Sequence, residues 1–167
     1  MKDLIILAGA PGSGKSTVGE LLRENEGYAL IDFGWFRQGH LDNLWSNVTP
    51  AEESMTWENL IFIIRNYWKY GYKNVVVTDL LDEKVAILAE TFKDKDLIIV
   101  SLIISDDQEL KNRVLGDRDS GFKNFDEAIE WNKKLISRPA LRNEYKIDNT
   151  KNDPAKTAKE IVQLVSK

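Results

Sequence analysis

The chain has 167 residues, 43% of them hydrophobic and 30% charged, the profile of one globular domain around a single core. Its net charge is −4 and its pI is near 5.2, which argues against duplex nucleic acid as a partner. Cysteine is absent and His40 is the only histidine, so disulfides, thiolate metal sites and a cysteine nucleophile are excluded. A serine–histidine–aspartate triad would have to use His40, with no G-x-S-x-G to accompany it.

No apolar run approaches the roughly 20 residues of a membrane span. Met1-Lys2-Asp3 leads straight into a strand pattern without a signal-peptide n-region, so a cytoplasmic location is expected.

Strand-like and helix-like stretches alternate, which predicts an α/β fold with a parallel sheet. Leu4 to Ala8 reads as a buried first strand and Gly9 to Gly14 as a glycine-rich loop. A helix is expected from Ser16 to about Asn25, ending near Gly27. The second strand is Tyr28 to Ile31, closed by Asp32. Phe33 to Val48 is irregular and rich in aromatics.

The next helix is well marked. Thr49 is its N-cap, Pro50 its first residue and Glu52 completes a capping box, and Gly71 ends it. Trp57, Leu60, Ile61, Ile64 and Trp68 recur at helical spacing, so Trp57 and Trp68 read as core. The third strand, Asn74 to Thr78, is closed by Asp79. A shorter helix covers Leu81 to Phe92, with Asp82 fitting as its N-cap, and the fourth strand is Leu97 to Ile104. That strand is apolar without alternation apart from Ser101, so both faces are expected to be covered.

Ser105 reads as the cap of a helix reaching Gly116, with Gln108 three residues on. A loop and a helix over Phe125 to Ile136 follow, then a weak strand at Tyr145-Lys146-Ile147. Asp153-Pro154 starts the last helix, with Ala158, Ile161, Val162 and Val165 on one face. No linker divides the chain, so residues 1–167 are expected to form one domain.

Gly9-Ala10-Pro11-Gly12-Ser13-Gly14-Lys15-Ser16 satisfies G-x-x-x-x-G-K-[ST] in full, between a strand and a helix. Glycines let successive backbone N–H groups converge on phosphate oxygens, and the helix that follows aims its positive end at the same anion. The motif predicts a nucleotide site lined by residues 9–16 and Thr17. Lys15 would reach the β- and γ-phosphates of ATP and the Ser16 hydroxyl would ligate Mg²⁺. Asp79, at the end of a hydrophobic strand, has the pattern of a Walker B acid, a second group on the Mg²⁺ side.

Among P-loop classes, the N-K-x-D and D-x-x-G signatures of small GTPases and the L-S-G-G-Q of transporter ATPases are missing, and the chain is short for a typical AAA+ module. In its P-loop and its order of elements it resembles the nucleoside-monophosphate-kinase-like group, which includes adenylate, shikimate, gluconate and chloramphenicol kinases. The resemblance implies a three-layer P-loop kinase fold: a five-stranded parallel sheet with helices on both faces and a small helical lid. It places an acceptor-binding helical region at 33–72 and the lid at 113–140.

It also implies roles for single residues. Asp32 would accept the proton of the acceptor hydroxyl, and Arg37 would help to hold the acceptor. Arg113 and Arg118 would close over the phosphates, because the guanidinium fork can bind two phosphate oxygens. Four residues separate these two arginines, against three in adenylate kinases. The run Gly116-Asp117-Arg118-x-x-Gly121 looks more like the lid of chloramphenicol phosphotransferase-like proteins. Arg138 and Arg142 occupy the region where similar kinases place another phosphate-binding arginine, with surface charge as the alternative. Asp148-Asn149-Thr150 would lie beside the adenine.

Trp35, Phe36 and Trp45 form an aromatic acceptor pocket or pack the acceptor subdomain. His40 reads as a surface residue or one that supports a neighbour.

Three functions fit this pattern. The leading one is transfer of the γ-phosphoryl group of ATP to a hydroxyl of a small molecule, with Lys15, Asp32 and Arg118 as the catalytic set. A nucleoside or nucleotide kinase is the second, disfavoured because only Arg23, Arg37 and Arg65 precede the lid. The third is a nucleotide-binding regulatory module without phosphotransfer. Expected partners are a nucleotide and a small-molecule acceptor, with no nucleic acid and no membrane, in a monomer or homodimer.

Overall fold

β1 (Leu4–Gly9) is buried at every position, and the molecule is arranged around it. The computed structural model describes residues 1–34, 49–116 and 122–166. After β1 come α1 (Lys15–Glu26), β2 (Leu30–Asp32), α2 (Pro50–Lys69), β3 (Val75–Thr78) and α3 (Asp82–Thr91). Then follow β4 (Leu97–Ile103), α4 (Asp107–Leu115), α5 (Phe125–Ser137), β5 (Glu144–Asp148) and α6 (Pro154–Val165). The five strands are all parallel, in the order β2-β3-β1-β4-β5.

Alternation along β1 divides the core in two, because successive side chains point to opposite faces. Leu4, Ile6 and Ala8 join Leu60 and Ile64 of α2 and Val85 and Leu88 of α3 on one face. Ile5 and Leu7 join Val18 and Leu22 of α1 and Ala158, Ile161 and Val165 of α6 on the other. A third cluster, Ile104, Leu110, Val114 and Ala128, packs α4 against α5. Ser101 stays buried in β4 because its hydroxyl donates to Glu144 Oε1 at 2.5 Å.

The helix punctuation read from sequence is largely present. Gly27 ends α1 in the left-handed conformation, with φ at 69°. Thr49 and Glu52 form the reciprocal capping box of α2. Trp68 packs edge-to-face on Phe92, with centroids 4.8 Å apart, and its indole donates to Asp3 O. Trp57 meets Phe33 in the same geometry at 6.1 Å.

Two caps differ from expectation. Asp106, not Ser105, caps α4: its carboxylate accepts from the amides of Gln108 and Glu109, while Ser105 is drawn to Thr150. Asp82 lies inside the first turn of α3, with Leu81 at the N-cap position, because its carboxylate is taken by Arg138. β2 runs from Leu30 to Asp32 rather than from Tyr28. Phe33 and Gly34 are helical rather than irregular. No helix among the described residues is long and apolar enough to cross a membrane.

Leu60 is fully buried where α2 meets the sheet, so Leu60→Ala is expected to destabilise the fold by about 2–5 kcal/mol through lost burial and the cavity left behind. Thr49→Ala, which removes only the exposed cap of the same helix, is expected to cost about 1 kcal/mol. Urea denaturation of both variants gives the comparison.

Candidate functional site

Gly9 ends β1 and opens the loop with φ at 147°. A Cβ there would stand 2.4 Å from Ser13 Oγ and 2.6 Å from Leu102 O, so only glycine lets the chain turn this close to β4. The loop closes on itself through the Ser13 amide, which donates to Ala10 O at 3.1 Å. Gly14 then enters α1 in a left-handed conformation, with φ at 98°.

The N-terminus of α1 has no side-chain cap and no acidic residue in its first turn. Its first amides are therefore left for an external acceptor, and its dipole favours an anion. Lys15 is buried, and its ammonium donates to Ala10 O at 3.1 Å. Ser16 and Thr17 are exposed at the mouth of the helix. The Ser13 hydroxyl is buried without a hydrogen-bond partner. These features fit a bound polyphosphate: uncapped amides, an inward-held cation and an unsatisfied hydroxyl in one cradle.

β3 lies beside β1, and β2 beside β3, so Asp79 and Asp32 leave the sheet on the same edge as the loop. Gly34 brings the two acids together. A Cβ on Gly34 would be 2.2 Å from Asp79 Oδ2 and 3.3 Å from Asp32 Oδ1. Asp79 has φ at 62°, a left-handed backbone unusual outside glycine. The Asp79 carboxylate and the exposed Ser16 hydroxyl in the first turn of α1 are oxygen donors of the kind a hard cation such as Mg²⁺ takes.

Arg113 projects from α4 between Glu109, which accepts from its Nε at 2.7 Å, and Thr150 O, which accepts from its Nη2 at 2.7 Å. It therefore stands beside the segment 148–150. Burial would raise the Asp148 carboxyl, but hydrogen bonds from Thr150 and Ser105 outweigh it and hold the group below its ordinary value.

Asn149 had no individual role in the sequence reading. Its side chain donates from Nδ2 to Ser13 O at 2.8 Å, linking this segment to the phosphate loop. The partner lies 136 residues away, and no local pattern announces it.

Arg138 has a different environment from the one expected of a substrate-binding arginine. Its Nε and Nη2 donate to the two oxygens of Asp82, its Nη1 and Nη2 to those of Glu144, and its Nη1 also to Pro139 O. All five N–H donors are engaged by the protein, leaving none for an acceptor in this conformation. Arg142 is exposed. Trp35, Phe36, Arg37, His40, Trp45 and Arg118 lie outside the described residues.

Burial alone would raise the Glu144 carboxyl, yet Arg138, Ser101 and the Leu141 amide together hold it below its ordinary value of 4.5. A depressed carboxyl stabilises the fold above its unfolded-state pKa, and that stability is lost as pH falls through the folded value. Glu144→Ala leaves Arg138 undercompensated and is expected to cost about 3 kcal/mol at neutral pH. The difference from wild type should be constant above about pH 5 and shrink below about pH 4, read by urea denaturation across that range.

A search of curated proteins gave no match. Among solved structures, a shikimate kinase from Bacteroides thetaiotaomicron superposes with a TM-score of 0.70 at 14% identity, covering 100% of each chain. A gluconokinase from Sinorhizobium meliloti 1021 gives 0.66 at 17% identity, over 97% of this chain and 90% of its own. The YorR protein of Bacillus subtilis, in complex with phosphorylated GDP, gives 0.62 at 21% identity, over 98% and 95%. These likenesses give the fold: the α/β P-loop kinase fold of small-molecule kinases.

The family model that matches, AAA_18, is described as an AAA domain and spans residues 5–131, from β1 into α5, so the shortness of the chain does not exclude this branch of the AAA grouping. With a complete phosphate loop at the head of a matched segment covering most of its length, the chain belongs to the AAA_18 family of P-loop domains.

Proposed function

We propose that the chain is an ATP-dependent kinase that transfers the γ-phosphoryl group to a hydroxyl of a small molecule. The observation that carries this reading is the convergence of Asp32 and Asp79 at Gly34, on the sheet edge that also holds the phosphate loop. Phosphoryl transfer needs a positioned nucleophile, a destination for its proton, and charge stabilisation around the moving group. Asp32 supplies the proton acceptor. The loop amides and Lys15 hold the phosphates.

Ser16 and Asp79 would hold Mg²⁺, which neutralises phosphate charge when bound. Arg113 stands at the base side and Arg118 would complete the clamp over the phosphates, within a lid at 113–140. Region 33–72, with Trp35 and Arg37, would shape the acceptor site.

A phosphorylated acceptor is less well supported. Of the arginines before the lid, Arg23 pairs with Glu20 on the exposed side of α1, and Arg65 lies over Phe92. Arg37, the third, lies outside the described residues.

Saturating Mg-ATP should stabilise the wild type by about 3–4 kcal/mol at 100 to 1,000 times its dissociation constant, and Lys15→Ala should abolish most of that gain. Thermal denaturation with and without nucleotide measures both. On the acceptor identified from a panel of hydroxyl compounds, Asp32→Asn should lower kcat by about a hundredfold or more while nucleotide binding persists. Unchanged turnover in Asp32→Asn would remove the base from the mechanism. A fast ATPase without acceptor would count against a kinase altogether.

A further inference from the structure

The Ser13–Gly14 peptide closes the phosphate loop where it enters α1, and a side chain from the opposite end of the sequence holds it. Asn149, immediately after β5, is 2% exposed. Its backbone amide donates to Ile103 O at 2.8 Å, fixing it to the end of β4. Its side-chain amide donates from Nδ2 to Ser13 O at 2.8 Å, and its Oδ1 accepts from Thr157 Oγ1 at 2.6 Å. Thr157 is fully buried in α6.

The orientation of the Asn149 amide follows from these partners. Ser13 O can only accept, so the NH₂ must face it; Oδ1 is then left for the Thr157 hydroxyl, which must donate. The same NH₂ stands 2.7 Å from where a Gly14 Cβ would be, so the side chain rests against the loop backbone.

A trans peptide is planar, with its carbonyl oxygen and the following N–H on opposite sides. The chain contains no cis peptide bonds. Holding Ser13 O against Asn149 therefore turns the Gly14 N–H away from the buried interior, toward the concave side of the loop where phosphate oxygens are received. A free Ser13 carbonyl would leave this peptide able to rotate, and the donor would lose its preset direction.

We infer that Asn149 and Thr157 are positioning residues for nucleotide binding: Thr157 orients the Asn149 amide, which presets the Gly14 N–H as a phosphate donor. The relay also ties the phosphate loop to the segment at Thr150, whose carbonyl accepts from Arg113. The inference rests on the proposed nucleotide site and adds two residues, neither of which touches the nucleotide in this scheme.

The test compares wild type, Asn149→Ala, Thr157→Val and Thr157→Ser. ADP affinity is read by calorimetry, melting temperature is measured without nucleotide, and the Gly14 amide resonance is followed in the nucleotide-free protein. Asn149→Ala and Thr157→Val should weaken ADP binding about tenfold, the loss expected for one hydrogen bond to a charged group. Thr157→Ser keeps the hydroxyl and should restore wild-type affinity. The Gly14 resonance should move in Thr157→Val but not in Thr157→Ser.

Lower melting temperatures with wild-type ADP affinity in both disruptive variants would overturn the relay and leave a structural clamp. If Asn149→Ala does not fold, Thr157→Val, which is nearly isosteric, carries the test. Failure of the wild type itself to bind ADP or ATP would sink the nucleotide reading. The Gly14 resonance would still decide the relay, an unmoved signal in Thr157→Val overturning it.

Discussion

β1 is buried on both faces by helices and on both edges by β3 and β4, and this enclosure fixes where everything else can go. A strand so enclosed is open only at its two ends, and the glycine loop begins at the C-terminal one. The parallel neighbours must end on the same side, so Asp32, Asp79, Ile103 and Asp148 are delivered to one edge. The concentration of polar groups beside the loop is thus a consequence of all-parallel pairing.

Polar side chains are organised into two networks. One runs from Thr157 through Asn149 to the loop, and the other from Ser101 through Glu144 and Arg138 to Asp82. The second network links the C-terminal end of α5 to the first turn of α3, three residues after Asp79. Lys146 reinforces it by donating to the carbonyls of Ile136 and Arg138. Asn132 makes a further tie from α5, accepting from the amide and donating to the carbonyl of Ile104. α5 is therefore joined to the sheet by side-chain hydrogen bonds at its middle and at its end.

Local signals in the sequence were legible because their physics is local. The apolar run of β1, the glycines of the loop, the Thr49–Glu52 box and the Gly27 terminator each act over a few residues, and the structure has all of them. Legibility ended where partners are distant. Nothing near Ser105 shows that Thr150 will claim its hydroxyl, which leaves the cap to Asp106. Nothing near Arg138 shows that Asp82, 56 residues earlier, will occupy it. The meeting of Asp32 and Asp79 needed the strand order that sets β2 beside β3, and the tie from Asn149 to Ser13 needed coordinates.

The left-handed backbone at Asp79 bears on how the protein can change. Glycine would adopt φ near 62° without strain, whereas aspartate holds it at a penalty on the order of 1 kcal/mol. An acidic side chain thus stands where backbone preference alone would select glycine, and Gly34 is kept bare on the other side of its carboxylate. The two positions are coupled: a side chain at residue 34 would require the Asp79 carboxylate to move aside.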